Sequence, residues 1–493
     1  MLSQPQLDPE SSTPIYRQLF EHFRECIRSG RCQPGDKLPA TRELAGHIGL
    51  NRTTITAAYE LLEAEGLIRS HVGRGSFVAG ETGAAAGGIH WRERFVSSEP
   101  EAAFALSQPP SEAPISFATS RPSADLFPVE EIRKTTAEVM ASEAADVLQL
   151  GSPTGYPPLR RLLLDRALEA GEAGETDDII ITSGCQQALD LLQRILIGTG
   201  DKVAVEDPVY PGIHQVISRA GARLSGIPVG PGGMDVDRLE EALREERPKL
   251  LIVTPNFQNP TGATLPLEAR RRLLRAAAEA GTIVAENDIY ADLRYRGAEI
   301  PSLKRLDETG GVIQFRSFSK ISFPGLRVGW VIGPRAVISR LAEAKQWSDL
   351  HTGQMAQAVL CRFASSGRLE AHRKRVVAGG RKRLTAALEA CEEHLPRGSR
   401  YTRPEGGMSL WVELPEPLDA GEMLPRAVTA GASYLPGRYF AVSRSHSGSL
   451  RLSFAGLAPA TIEEGLSILG GLFQEELNRV RDASRYDPAP AMV

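Results

Sequence analysis

The feature that most constrains this 493-residue chain is a series of short, unbroken apolar runs through its middle. Ile179-Ile180-Ile181, Val203-Ala204-Val205, Leu250-Leu251-Ile252-Val253, Ile283-Val284-Ala285 and Val312-Ile313 are each flanked by polar or turn-forming residues. A strand that is apolar on both faces has to be covered on both faces, as happens in parallel sheets sandwiched by helices. The stretches between them supply such helices, because Gln187–Ile197 and Leu267–Ala280 carry apolar residues at helical period. Strand–helix alternation of this kind predicts an α/β unit built on a mostly parallel sheet. It begins near residue 116 and runs to about 485. Its C-terminal part, through Trp411-Val412-Glu413-Leu414 and Leu450 to Phe454, reads as a smaller α+β subdomain, and residues 486–493 as a disordered tail.

The first 78 residues follow a different pattern. Thr13 can cap a helix starting at Pro14, and Ile15, Leu19, Phe23 and Ile27 then share one face. A second short helix follows Thr41, and a third starts behind the cap Asn51 and carries Ile55, Tyr59 and Leu62. Leu67 to Val78, folded around Gly73-Arg74-Gly75, reads as a two-stranded ribbon. Helices joined by a tight turn and followed by a ribbon form a winged helix-turn-helix, whose second helix presents its first residues to base edges. Those residues are Asn51, Arg52, Thr53 and Thr54, with Arg42, Arg69 and Arg74 as further DNA contacts. Residues 1–80 hold nine basic and nine acidic side chains, so any attraction to DNA comes from placement rather than net charge. Residues 79–115, with Gly87-Gly88 and Pro109-Pro110, read as a linker.

Several classes are excluded. The apolar runs are too short to span a bilayer, and Met1 to Glu10 lacks the apolar core of a secretion signal. Five cysteines without a CxxC pair fit reduced thiols, hence a cytoplasmic protein. There is no Gly-Lys dipeptide for a phosphate-binding Walker loop and no HExxH, so no metal is expected.

In the α/β unit, several motifs converge on one ligand. Lys320, in Ser317-Phe318-Ser319-Lys320, is a candidate for an imine with an aldehyde. The same residues fit the S-x-x-K acyl-transfer signature, but its Lys-Thr-Gly partner is missing. Asp288 and Tyr290, two apart behind an apolar strand, share a face if that strand continues. A carboxylate there suits a pyridinium nitrogen, and a phenol suits a ring hydroxyl. Ser183-Gly184-Cys185 precedes a helix, whose first amides favour a phosphate, and Arg327 adds counter-charge. Asn259 lies in the turn Asn259-Pro260-Thr261-Gly262, and Tyr210 can stack on a flat ring.

Two resemblances organise these residues. Pro14 to Leu19, Pro34 to Ala45, Asn51 to Ile55 and Leu61 to Gly66 closely resemble GntR-type bacterial regulators. Thr254 to Gly262, Ile283 to Tyr290 and Ser317 to Trp330 resemble fold-type I aminotransferases, which use pyridoxal 5′-phosphate (PLP). That second resemblance implies that Lys320 carries PLP covalently and that Asp288 meets the ring nitrogen. It implies that Asn259 and Tyr290 hold the ring oxygen, and that Tyr210 stacks. Ser183, Gly184, Cys185, Ser317 and Arg327 would surround the phosphate, and Arg451 would bind a substrate or effector carboxylate. The chain departs from the pattern at Cys185, where relatives often have a hydroxyl, and at Leu150, where they often have a tyrosine that reaches the neighbouring subunit. The combined layout is that of the MocR subfamily of GntR-type regulators. It implies a homodimeric transcription factor that binds operator DNA and senses an amino compound or PLP; the rival is a working aminotransferase carrying an extra domain.

Overall fold

The computed structural model describes residues 7, 13–28, 31–33, 35–48, 50–71, 75–79 and 113–485. Arg74, most of the expected linker and the expected tail 486–493 lie outside them, as does the side chain of Arg42. The chain divides into two compact units, Met1–Ser98 and Glu99–Val493.

In the first unit, helices α1 (Ile15–Arg28), α2 (Thr41–Ile48) and α3 (Arg52–Ala64) precede an antiparallel ribbon of β1 (Ile68–His71) and β2 (Gly75–Val78). The helical stripe has its expected consequence: Leu19 and Phe23 are buried against Ile55, Tyr59 and Leu62. Phe23 and Tyr59 meet edge-to-face at 5.8 Å, and the Tyr59 hydroxyl donates to the Pro39 carbonyl at 2.9 Å, fixing α3 on the turn before α2. Pro14 stands just ahead of α1, where its carbonyl accepts from the amides of Arg17 and Gln18.

In the second unit, the apolar runs are strands of one eight-stranded sheet. After β3 (Ile115–Ser116) come β4 (Asp177–Thr182), β5 (Lys202–Asp207), β6 (Arg223–Gly230), β7 (Gly233–Met234), β8 (Leu250–Val253), β9 (Ile283–Asn287), β10 (Val312–Ser317) and β11 (Gly329–Pro334). The spatial order is β4-β11-β10-β9-β8-β5-β6-β7. The block from β10 to β6 is parallel, as the two-sided burial of these runs requires. The sheet as a whole is mixed, because β11 runs antiparallel to both β10 and β4, and β7 antiparallel to β6. Glycine and proline bracket the apolar core of β11 and hide it from a pattern reading.

The C-terminal part forms a four-stranded antiparallel sheet from β12 (Arg400–Tyr401), β13 (Ser409–Glu413), β15 (Leu435–Pro436) and β16 (Ser449–Ser453). The short strand β14 (Ala432–Ser433) pairs in parallel with β3. Thus Ile115, read as the end of the linker, is built into this subdomain, and the Ser453 amide donates to the Phe117 carbonyl at 2.9 Å. Among the described residues no helix is long and apolar enough to cross a membrane.

Candidate functional site

The parallel strands all end on one side of the sheet, where open α/β sheets bind ligands. Ser183 to Gln186 follow β4, Tyr210 follows β5, Asn259 follows β8, Asp288 to Tyr290 follow β9, and Ser317 to Lys320 close β10. Ser120, Arg438 and Arg451 face them across a cavity of about 930 Å³. Cys185, Tyr210, Asn259, Tyr290, Ser317, Lys320, Arg327 and Arg451 all line it.

Lys320 Nζ lies 3.2 Å from the Ser120 carbonyl, to which it donates, and 5.5 Å from the centroid of the Tyr290 ring. No carboxylate among the described residues pairs with it. Burial and the Arg451 and Arg327 cations push its amine down to about 8. An amine that is partly neutral near pH 7 can attack an aldehyde, which an ordinary surface lysine does rarely. Asn259 and Tyr290 stand together beside it: the Tyr290 hydroxyl bonds the Asn259 side chain, and burial pushes that phenol up to about 12. The strand β9 ends at Asn287, so Tyr290 reaches the cavity from a turn and not from an extended strand.

Asp288 lies beneath the cavity, 2% exposed. Its Oδ1 accepts from Asn256 Nδ2 at 2.7 Å and its Oδ2 from Arg316 Nη1 at 3.0 Å. Burial drives its carboxyl up; the Arg316 guanidinium and the Asn256 amide pull it back. Arg316 also pairs with Asp292 at 3.3 Å and Glu172 at 3.5 Å. Sequence reading passed over Arg316, although one arginine inside the apolar strand Val312–Ser317 was a visible signal for a buried ion pair.

The phosphate end is made by the turn into helix Cys185–Leu196. Its first amides lack intrahelical acceptors. Gly184, with φ 77°, adopts a backbone conformation that side chains resist, and a Cβ there would overlap the Arg327 guanidinium, with Cζ 2.9 Å away. Cys185 Sγ donates to the Arg316 carbonyl at 3.1 Å, and burial raises its thiol to about 12, so it is a neutral packing group. The Ser183 hydroxyl instead faces Asp349 Oδ2 and Thr352 Oγ1, both at 3.2 Å, and does not line the cavity. Gln186, which sequence reading did not single out, does.

Arg451 projects from β16 and is 3% exposed. Nη1 donates to Asn259 Oδ1 at 3.1 Å and Nη2 to the Ala118 carbonyl. Its Nε is buried without an acceptor, and burial lowers the group to about 10. A desolvated guanidinium with a spare donor calls for an anion. These features fit PLP: a partly neutral lysine for the aldehyde, a buried carboxylate for the ring nitrogen, and an amide-and-arginine cradle for the phosphate. Leu150 is 72% exposed and does not line the cavity. Away from it, Glu393, His394 and Glu463 cluster, and His394 Nε2 lies 2.5 Å from Glu463 Oε1.

In the first unit, Asn51 caps α3, its Oδ1 accepting from the Thr53 amide at 3.3 Å. Asn51, Arg52 and Thr53 are exposed, Thr54 is half-buried, and Arg69 is exposed on β1.

Residues 113–469 match the family described as aminotransferase class I and II, and residues 15–78 match the bacterial regulatory proteins of the gntR family. The chain is 32% identical over 477 residues to the uncharacterized HTH-type transcriptional regulator YdcR of Escherichia coli, covering 94% of this chain and 99% of that one. It is 28% identical over 483 residues to the probable rhizopine catabolism regulatory protein MocR of Rhizobium meliloti, covering 95% of each. The alpha-aminoadipate aminotransferase LysN of Thermus thermophilus, solved with N-(5′-phosphopyridoxyl)-L-leucine, superposes with a TM-score of 0.72 at 35% identity, covering 79% of this chain and all of that one. A GntR-type DNA-binding module thus precedes a PLP-binding aminotransferase domain, and the chain belongs to the MocR-like regulators of the GntR family.

Proposed function

We propose that this protein is a cytoplasmic, homodimeric transcription regulator that reads operator DNA with its first unit and senses an amino compound with its second. The observation that carries the reading is the pairing, on one chain, of an exposed recognition-helix start at Asn51 to Thr53 with an amine-and-carboxylate pocket at Lys320 and Arg451. When bound, PLP supplies an aldehyde that primary amines can engage. Lys320 holds it, Asp288 orients its ring, Asn259 and Tyr290 face its ring oxygen, and Tyr210 stacks. Gly184, Cys185, Ser317 and Arg327 form its phosphate end, with Ser183 behind them, and Arg451 receives the carboxylate of the sensed compound. A homodimer is supported by four exposed apolar side chains on two adjacent segments: Leu148 at 72%, Leu150 at 72%, Trp347 at 86% and Leu350 at 55%. Gln354 ties these segments together by donating to the Asp146 and Gln149 carbonyls. Apolar groups gathered in this way are normally covered by a partner.

The aminotransferase reading competes because Lys320 and Arg451 line one pocket and Asp288 lies beneath it. Titrating the PLP-loaded protein with amines, with and without operator DNA, separates the two. A sensor shows a spectral change coupled to DNA affinity, and by linkage the operator shifts amine affinity by the same factor. Brisk steady-state transamination, with DNA binding indifferent to every amine, identifies an enzyme instead.

A further inference from the structure

The charge of the pocket lining is one-sided. Arg121, Lys320, Arg327, Arg438 and Arg451 line it, and among the described residues no Asp or Glu does. Three of these cations have assigned work: Lys320 with the aldehyde, Arg327 with the phosphate, Arg451 with a carboxylate. Arg121 and Arg438 are left over. Both are exposed, and among the described residues neither has a carboxylate within ion-pair distance, unlike the half-buried Arg316.

Arg438 is placed to serve the same ligand as Arg451. Leu435 of β15 is the direct neighbour of Arg451 on β16, and the turn Gly437–Phe440 carries Arg438 just beyond it. The Arg451 guanidinium lies 5.2 Å from the Phe440 ring, and that of Arg438 lies 5.4 Å from the Tyr439 ring. Arg438 rests on the first turn of helix Ala420–Ala430, where a Cβ on Gly421 would stand 2.7 Å from its Nη1. The nearby carboxylate of Asp419 is engaged as the helix cap by the Gly421 and Glu422 amides. Leu424, Val428 and Leu435 supply apolar wall to the same cavity.

We propose that the sensed compound is an α-amino dicarboxylate: Arg451 takes the carboxylate beside the amine, the apolar wall covers a short methylene stem, and Arg438 takes the second carboxylate. Arg suits both ends because its planar fork pairs with carboxylate in two hydrogen bonds. A diamine is disfavoured, since its second ammonium would enter a lining of like charge. Arg121 adds to the attraction.

This inference rests on the sensing reading, and the test tells their failures apart. The full-length PLP-loaded protein is titrated by absorbance with L-glutamate, L-2-aminoadipate, L-glutamine, L-norleucine and L-lysine, and DNA affinity is measured in parallel. An acidic amino acid should act at concentrations at least about tenfold below its uncharged counterpart, the scale of one charge-assisted pair. In Arg438→Gln that preference should collapse, Arg438→Lys should restore part of it, and Arg438→Glu should favour L-lysine. Equal response to L-glutamate and L-glutamine, or a preference undiminished in Arg438→Gln, overturns the proposal. A spectrum insensitive to every amine overturns the sensing reading and the proposal with it. An acid preference with unaltered DNA affinity sustains the proposal and overturns the regulator reading.

Discussion

Replacing Gly184 with alanine separates two costs that the structure places at one atom. The backbone there has φ 77° and ψ 169°, a region that residues with a Cβ avoid at a cost of about 1–3 kcal/mol. The added Cβ would also occupy the space of the Arg327 guanidinium, so that flexible side chain has to move away. The first cost falls on the folded protein without cofactor. The second falls on PLP, because a charge-assisted hydrogen bond to phosphate is worth about 1.5–3 kcal/mol. At about 1.4 kcal/mol per tenfold, the dissociation constant for PLP should rise about ten- to a hundredfold. Equilibrium dialysis against PLP gives the affinity, and thermal unfolding of the apo-protein gives the strain. Arg327→Ala alone should weaken PLP by a similar factor, and in the double variant the two losses should overlap and not add. Full additivity, or a Gly184→Ala protein that binds PLP as the wild type does, would refute the account of the phosphate end.

Other outcomes follow from the same geometry. Borohydride should fix the cofactor to the peptide containing Lys320, and Lys320→Ala should release PLP on dialysis. Because burial, Arg451 and Arg327 lower the Lys320 amine to about 8, its neutral fraction climbs as pH rises toward 8. Capture of PLP by the apo-protein should therefore accelerate by about tenfold per unit below pH 8 and level off above it; a rate still climbing steeply at pH 9.5 would show an unperturbed lysine. Arg52→Ala should cost about 1–3 kcal/mol in operator affinity with relaxed specificity, if its guanidinium bridges a base. Arg69→Ala or Arg74→Ala should weaken all DNA alike and lower the salt slope by about one, in a fluorescence anisotropy series.

The two-domain plan and the parallel core were legible because both rest on local signals. A run such as Leu250 to Val253 is apolar throughout, and its only stable place is a doubly covered strand. Lys320, Asp288 and Asn259 were singled out through a family resemblance carried by short motifs that follow strands. What stayed hidden depends on distant partners. The Ser183 hydroxyl is captured by Asp349, 166 residues away, and no local pattern announces that. Arg316 was passed over because its acidic partners, Glu172 and the neighbouring pair Asp288 and Asp292, are distant from it in sequence. Arg438 carries no periodic signal; its interest arises from what surrounds it. The reversal of β11 is set by the short return from Lys320 to Gly329, too brief for a helical crossover.

The strip of backbone from Ile115 to Ser120 bears on how such proteins can be recombined. Its Ala118 and Ser120 carbonyls are held by Arg451 and Lys320, the side chains that handle carboxylate and aldehyde. Both grips belong to side chains that line the pocket, while the strip itself is also fastened by the pairing of β3 with β14. A different DNA-reading head, spliced in ahead of Ala113, would leave both of these contacts in place.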